Sequence, residues 1–393
     1  MKALIVDNII LYKDSLSCDY YSPSIVDNLF FSRYLDVFEE IKVIAKVFPL
    51  EKGNKNLIKI DCSRIQIVEL PAYHGIKQML RCLPDIKKAY KNIEVDCFCS
   101  ILRVVQLESI FAIIFGKLKK PYAVEVVNDA ETQFTPWFPV GMVAVCAMRY
   151  FVKHAIGVSY ITEYALQKKY PCTKQKKPHS KKYFYSNYPT LDLMDEEILL
   201  PKVYPSHISE LNIVHVANNM NGNAKGHVTL IKILKQMTKF GYNAKVTFIG
   251  DGPSKIEYEE LIEEYNLEDR VIFLGKIADH KKVLEFMRKA DIFVFPSRGE
   301  GMGRVNIEAK AVGLPCLASS TGGIVELFDD EYLFDPDDVD GFVTKLCYLF
   351  DNPQELSEMS KKNIESITKY AYSNVKKRRM DFYRQLRLYV KGI

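Results

Sequence analysis

The chain has 393 residues, 48% of them hydrophobic, which exceeds what one core usually serves and predicts two domains of roughly 150 to 200 residues each. Its 54 Lys and Arg stand against 49 Asp and Glu, and a net charge of +5 makes no overall polycation, which removes nucleic acid as the default partner. No run reaches the ~18 apolar residues that span a bilayer, no signal-peptide pattern opens the chain, and nine cysteines form no C-x-x-C framework, so a cytoplasmic protein with reduced core cysteines is expected.

Short apolar runs alternate with longer amphipathic segments, the pattern of β-α-β units around a parallel sheet. In chain order, the first half predicts strands at residues 3–7, 42–48, 66–70, 95–101, 122–127 and 155–159. Residues 137–152, aromatic-flanked and interrupted by Gly141 and Arg149, read either as a core helix or as one lying on a membrane or lining an apolar acceptor groove. The lysine-rich residues 168–182 and Lys376-Lys377-Arg378-Arg379 read as solvated faces, or as surfaces drawn to an anionic membrane or a phosphorylated acceptor. Prolines and weak periodicity place a hinge at residues 189–209. The second half predicts strands at 211–217, 244–250, 270–274, 291–295, 315–318 and 332–334, and then helix from 352 almost to the end with a bend at 370–373. The expected fold is α/β: two doubly wound, Rossmann-like domains (1–188 and 210–370) facing a central cleft, with a C-terminal helix (371–393) crossing back to the first.

The most informative segment lies between Pro296 and Pro315. A buried strand precedes it, Gly299-Glu300-Gly301-Met302-Gly303 is too glycine-rich for strand or helix, and residues 304–312 have helical composition ended by Gly313. Such a loop leaves the backbone N–H groups of Met302, Gly303 and Arg304 at the positive end of a helix, a ready phosphate site, with Glu300 and Glu308 on either side of it. Ser297 and Glu300 also fit a capping box, although Gly299, Gly301 and Gly303 interrupt the turn it would begin. Upstream, the polar loop 218–224 ends on Lys225 directly after a strand, where a lysine can reach a diphosphate as a mobile point charge. Gly250 and Gly252 read as an ordinary strand-ending turn or as the rim of a ligand crevice. Asn128-Asp129-Ala130-Glu131 reads as a satisfied Asx turn or as an acceptor or sugar contact. No H-x-x-x-H cluster stands at a strand end, and no metal is expected.

In order along the chain, residues 215–227 with their Lys225-Gly226 turn, residues 246–253, Arg270-Val271-Ile272-Phe273-Leu274-Gly275, the Glu300/Glu308 spacing and Gly322-Gly323-Ile324-Val325-Glu326 resemble the nucleotide-sugar-binding domain of retaining GT-B glycosyltransferases of family 4 (glycosyl transferases group 1). The resemblance covers roughly residues 211–350. It implies transfer of a sugar from a UDP- or GDP-linked donor, with anomeric configuration kept, to a hydroxyl of a glycan or lipid-linked acceptor in surface polysaccharide or glycolipid synthesis. The enzyme would work without metal or cofactor at the inner face of a membrane. Catalytic roles fall to Glu300, Lys225 and Asp129, and donor contacts to Asn218, Gly250, Gly252, Gly275, Gly301, Met302, Gly303, Arg304 and Glu308. Glu308 would hold ribose hydroxyls, and Glu300 the donor sugar or its developing charge. Two departures stand out. An arginine the family commonly has a few residues before the lysine is replaced by Ala217-Asn218-Asn219-Met220, which leaves Arg304 as its substitute, and Asp7-Asn8-Ile9-Ile10-Leu11-Tyr12 replaces a glycine-rich loop after the first strand. The missing arginine keeps a non-catalytic scaffold open as an alternative, beside an epimerase-like enzyme.

Overall fold

The structure, a computed structural model, describes residues 1–23, 26–51, 57–131 and 140–392. The chain divides into two compact units, Met1–Tyr188 with Lys376–Ile393, and Pro189–Val375. Strands of the first unit are β1 (Lys2–Lys13), β2 (Tyr20–Ser22), β3 (Glu40–Pro49), β4 (Ile58–Lys59), β5 (Ile65–Leu70), β6 (Cys99–Val104), β7 (Tyr122–Val126), β8 (Gly157–Tyr160) and β9 (Phe184–Asn187). Its helices are α1 (Asn28–Leu35), α2 (Gly75–Arg81), α3 (Leu83–Tyr90), α4 (Leu107–Ile114), α5 (Val140–His154), α6 (Ala165–Lys169) and α7 (Thr173–Lys176).

Seven strands run parallel in the order β5-β3-β1-β6-β7-β8-β9. Ala3, Leu4, Ile5 and Val6 are all fully buried, as a strand covered on both faces requires. Where the family resemblance led to a missing glycine-rich loop, β1 does not stop. It shifts register against β3 between Ile5 and Ile9 and runs on to Lys13, with Ile9 and Leu11 buried, and then pairs antiparallel with β2, which pairs with β4. β6 starts later than predicted, because Asn92 and Asp96 take left-handed backbone conformations and turn the chain, leaving Val95 exposed. β2, β4 and β9 had no clear signal in the sequence: they are short and lie outside the buried centre of the sheet.

Of the apolar stretch 137–152, residues 137–139 lie outside the described part. The rest opens α5, which buries Ala144, Met148, Phe151 and Val152 but exposes Met142, Val143 and Tyr150. Cys146, expected in the core, is exposed on the same helix. Among the described residues no helix is long and apolar enough to cross a membrane.

A buried charged cluster holds this unit together. Arg103 Nη1 donates to Asp7 at 2.7 Å and its Nε lies 3.4 Å from Glu125. Glu125 also accepts the hydroxyls of Tyr34 (3.2 Å), Tyr188 (2.9 Å) and Tyr383 (2.6 Å). Burial opposes the Arg103 charge, but Asp7, Tyr34 and Glu125 outweigh it, and its pKa is raised.

The second unit contains β10 (Leu211–Asn219), β11 (Ala244–Asp251), β12 (Val271–Phe273), β13 (Ile292–Phe295), β14 (Cys316–Ser319) and β15 (Leu333–Phe334). Its helices are α8 (His227–Lys239), α9 (Lys255–Glu264), α10 (His280–Lys289), α11 (Arg304–Ala311), α12 (Val339–Asp351) and α13 (Pro353–Ile367). The strands form one parallel sheet in the order β12-β11-β10-β13-β14-β15. Successive residues serve opposite faces: Ile213 packs with Leu230 and Leu346, and Val214 with Met287 and Ala309. Residues 189–209, expected as a hinge, begin at the division between the units and make bonds to the second. Leu199 N–H donates to Ala311 O at 2.8 Å, Arg288 to Leu200 O at 2.9 Å, and the Tyr204 hydroxyl to Asp291 O at 2.7 Å. Proline content disfavoured helix and strand there, but side chains of the helices still capture the backbone.

The final helix, α14 (Tyr372–Lys391), follows a short 3₁₀ turn at Thr368–Tyr370, where the bend was expected. From Lys376 onward it belongs to the first unit. Phe382 meets Phe184 edge-on at 5.2 Å between ring centroids, and Arg387 donates to Val37 O at 2.7 Å.

Candidate active site

In the second sheet β10 leads to β11 on one side, and β13, on its other side, leads away to β14. The carboxyl ends of β10 and β13 therefore flank a topological switch point, where open α/β sheets bind ligands. Lys225 ends the loop after β10 and Glu300 sits in the loop after β13, and the switch point brings the two together. Lys225 Nζ donates to a carboxylate oxygen of Glu300, which also accepts the Ser297 hydroxyl at 3.2 Å. The capping-box geometry is absent, since Ser297 donates to Glu300 and the cap of α11 is Gly303, in the left-handed conformation.

Close backbone contacts enforce this meeting. Arg298 N–H donates to Ala224 O at 3.0 Å, and a Cβ on Gly226 would lie 2.2 Å from Pro296 O. Behind Glu300, Gly323 N–H donates to Gly301 O at 2.8 Å and the Thr321 hydroxyl to Ser297 O at 3.0 Å. Gly322 has φ +55°, and a Cβ there would meet Glu300 O at 1.8 Å. Gly322→Ala is therefore expected to cost about 1–3 kcal/mol of backbone strain and to displace Glu300. Chemical unfolding together with the transfer rate tests this, and wild-type values for both would refute it.

Gly250 and Gly252 leave room for neighbouring backbone, whereas Gly275 has φ +68° with open space around it. A Cβ on Gly250 would lie 1.8 Å from Ala217 O, one on Gly252 2.4 Å from Met220 O, and Gly250 N–H donates to Gly275 O at 2.9 Å. Gly250 and Gly252 let the turn after β11 clamp the loop after β10, where Met220 N–H donates to Asp251 O at 3.0 Å and Ser254 N–H to Met220 O at 3.1 Å. Asn218 is exposed at the end of β10, Met302 is buried, and Gly301 is half-buried in the loop. Arg298 is committed elsewhere, to Asn223 O at 2.9 Å and to Asp337. Arg304 is exposed at the first turn of α11, one helical turn from Glu308. Glu308 is half-buried. Burial pushes its pKa up, His280 and Arg304 oppose the shift, and Glu197, 3.7 Å from His280, adds to it. The raised pKa means that folding stability associated with Glu308 falls as pH rises from the ordinary carboxylate range through this higher value.

Asp129 takes the structural alternative. It is buried and accepts Tyr170 Oη at 2.7 Å, Lys169 Nζ at 2.6 Å and Glu131 N–H at 3.0 Å, the last closing an Asx turn. Both oxygens are engaged within the first unit, so a catalytic role would require breaking these bonds first. His215 and His227, part of the matched sequence, are core residues with ring centroids 4.6 Å apart. Burial lowers His215 to about 4 and His227 further, so both are neutral near pH 7.

One residue of α11 went unnoticed in the sequence. Asn306, fully buried in α11, has neither side-chain Oδ1 nor Nδ2 hydrogen-bonded, and a Cβ on Gly303 would lie 2.4 Å from that Nδ2. An asparagine at a position of apolar helical spacing was the available signal. Among the described residues no group of three or more His, Cys, Asp or Glu could hold a metal ion.

Residues 207–366 match the family described as glycosyl transferases group 1. The chain is 28% identical over 395 residues to Protein CapJ of Staphylococcus aureus, covering 95% of this chain and 94% of that one. It is 30% identical over 173 residues to N-acetyl-alpha-D-glucosaminyl L-malate synthase of Bacillus anthracis, covering 43% of each. In fold it is similar to Anabaena Alr3699/HepE, solved in complex with UDP and glucose, with a TM-score of 0.65 and 16% identity over 98% of this chain and 99% of that one. With two Rossmann-like sheets and a C-terminal helix returned to the first unit, the chain has the GT-B fold, and its residues 207–366 form a domain of the glycosyl transferases group 1 type.

Proposed function

We propose that the protein is a retaining glycosyltransferase that moves a hexose from a UDP- or GDP-linked donor to a hydroxyl of a glycan or lipid-linked acceptor. The setting is surface polysaccharide or glycolipid synthesis at the cytoplasmic face of a membrane. The observation that carries this reading is the meeting of Lys225 and Glu300 at the switch point, beside the amino end of α11. That place offers a cation and helix N–H groups to a diphosphate and a carboxylate to a sugar. The UDP and glucose bound by the similarly folded HepE support a nucleotide sugar as donor.

In this reading Lys225, Arg304 and the loop amides neutralise the departing diphosphate, so that no metal is called for. Glu308 accepts from the ribose hydroxyls, Asn218 lines the approach, and Glu300 faces the donor sugar as positive charge develops at its anomeric carbon. The bond from that carbon to the diphosphate oxygen breaks, the acceptor oxygen bonds to the same face, and its proton passes to the leaving phosphate. The test is a panel of UDP- and GDP-sugars with glycan and lipid-linked acceptors, with nucleotide release followed and product anomers assigned by NMR. Release with a product of retained configuration is expected. Nucleotide binding without transfer from any donor would overturn the enzyme reading in favour of a scaffold, and an inverted product would overturn retention.

A further inference from the structure

Positive charge is concentrated in two stretches of the chain, the C-terminal helix from Lys376 onward and residues 140–187. Residues 140–187 hold nine Lys and Arg and a single acidic residue, Glu163, a local excess larger than the +5 of the whole protein. The remainder of the chain is therefore net negative, and this part of the first unit is electrostatically set apart.

Structure places apolar surface beside that charge. The exposed positions of α5 are Met142, Val143, Cys146, Arg149, Tyr150, Lys153 and His154, a spacing that keeps them along one side of the helix. Met142 and Val143 are 61% and 62% exposed, and α5 contains no acidic residue. At its carboxyl end, Thr173 of α7 donates to Lys153 O at 2.6 Å, which holds the lysine-rich segment against the end of this side. Lys174 Nζ donates to Pro178 O and Ser180 O, both at 2.7 Å, and folds the following loop back on itself. Lys176, Lys177, Lys181 and Lys182 remain exposed around it.

We propose that the outward side of α5 and the 176–182 loop form a docking surface for an anionic lipid bilayer. Met142, Val143 and Tyr150 enter the headgroup boundary while the lysines and Arg149 pair with lipid phosphates. A soluble polyanion would use the lysines but gains nothing from exposed methionine and valine beside them, whereas a bilayer with negative headgroups meets both. The inference specifies where the membrane association included in the proposed function would occur. Its test needs no donor or acceptor, so the two can fail separately.

Full-length protein is sedimented with phosphatidylcholine vesicles with and without phosphatidylglycerol. Three chains are compared: wild type, Lys176→Glu with Lys177→Glu, Lys181→Glu and Lys182→Glu, and Met142→Ser with Val143→Ser. Thermal unfolding of each variant confirms folding, since all six positions are exposed. Expected are binding only to phosphatidylglycerol vesicles, weakening with salt, and a loss on the order of a hundredfold or more in the charge variant. The apolar variant is expected to lose on the order of tenfold. Absence of vesicle binding, an apolar variant that binds as wild type, or retention by soluble polyphosphate in place of vesicles would overturn the proposal.

Discussion

Glu300→Gln is expected to bind a nucleoside diphosphate at least as tightly as the wild type while transferring sugar about a hundred to a thousandfold more slowly. The two effects separate because Glu300 is the ion-pair partner of Lys225, held in place by the Ser297 hydroxyl. A diphosphate must compete with this carboxylate for the ammonium group. Making Glu300 neutral frees Lys225 and removes a repulsive charge, which favours binding, but takes away the charge that faces the developing oxocarbenium centre. Lys225→Ala is the counterpart. One lost charge-assisted contact, about 1.5–3 kcal/mol, should weaken nucleoside diphosphate binding by roughly ten- to a hundredfold, with slower turnover as well. Since the two side chains touch, the double variant should fall short of the sum of the single effects. Calorimetric titration alongside steady-state transfer measures both quantities. If Glu300→Gln lost affinity and turnover in equal measure, Glu300 would be a binding residue and its assignment to the transition state would fail.

Glu125→Ala should be the most damaging single substitution for the stability of the first unit, at about 3–5 kcal/mol. Glu125 is buried and its two oxygens take three tyrosine hydroxyls and face Arg103. Without it, Tyr34, Tyr188 and Tyr383 lose their acceptor and Arg103 keeps only Asp7 as a carboxylate partner. Tyr383→Phe, which removes one donor and keeps the ring against Tyr34, should cost only about 0.5–1.5 kcal/mol. Denaturant unfolding of the two variants gives the comparison. Nucleoside diphosphate affinity serves as the control, because Lys225, Glu300 and Glu308 belong to the other unit. Equal losses for the two variants would show that the carboxylate is not the centre of the cluster.

Much of the fold was legible because parallel strands buried on both faces are written as unbroken apolar runs, and β13 and β14, buried along their whole length, announced themselves in this way. The strand ends were less clear. Nothing in Asp7-Asn8-Ile9-Ile10-Leu11-Tyr12 distinguishes a loop from a strand that continues through a register shift, and the shift depends on β3 alongside. Short edge pieces such as β2 and β4 bury little and carry correspondingly little pattern. At residues 189–209 composition pointed to a hinge, and it gave no sign of the side chains as remote as Ser357 and Ser360 that bond to the backbone there.

What the sequence by itself determined is local: the strand, glycine loop and helix around Glu300, the loop that ends on Lys225, and the lysine-rich residues 168–182. Each follows from steric limits, hydrophobic period or charge within a short window. Only the tertiary structure decided which charges meet. Lys225 and Glu300 are 75 positions apart and are joined because β10 lies beside β13. Arg298 is diverted to Asp337, Asp129 is enclosed by Lys169 and Tyr170, and Glu125 is reached by a tyrosine 258 positions away. A side chain's partner is set by strand order and packing, and its chemistry follows from that partner.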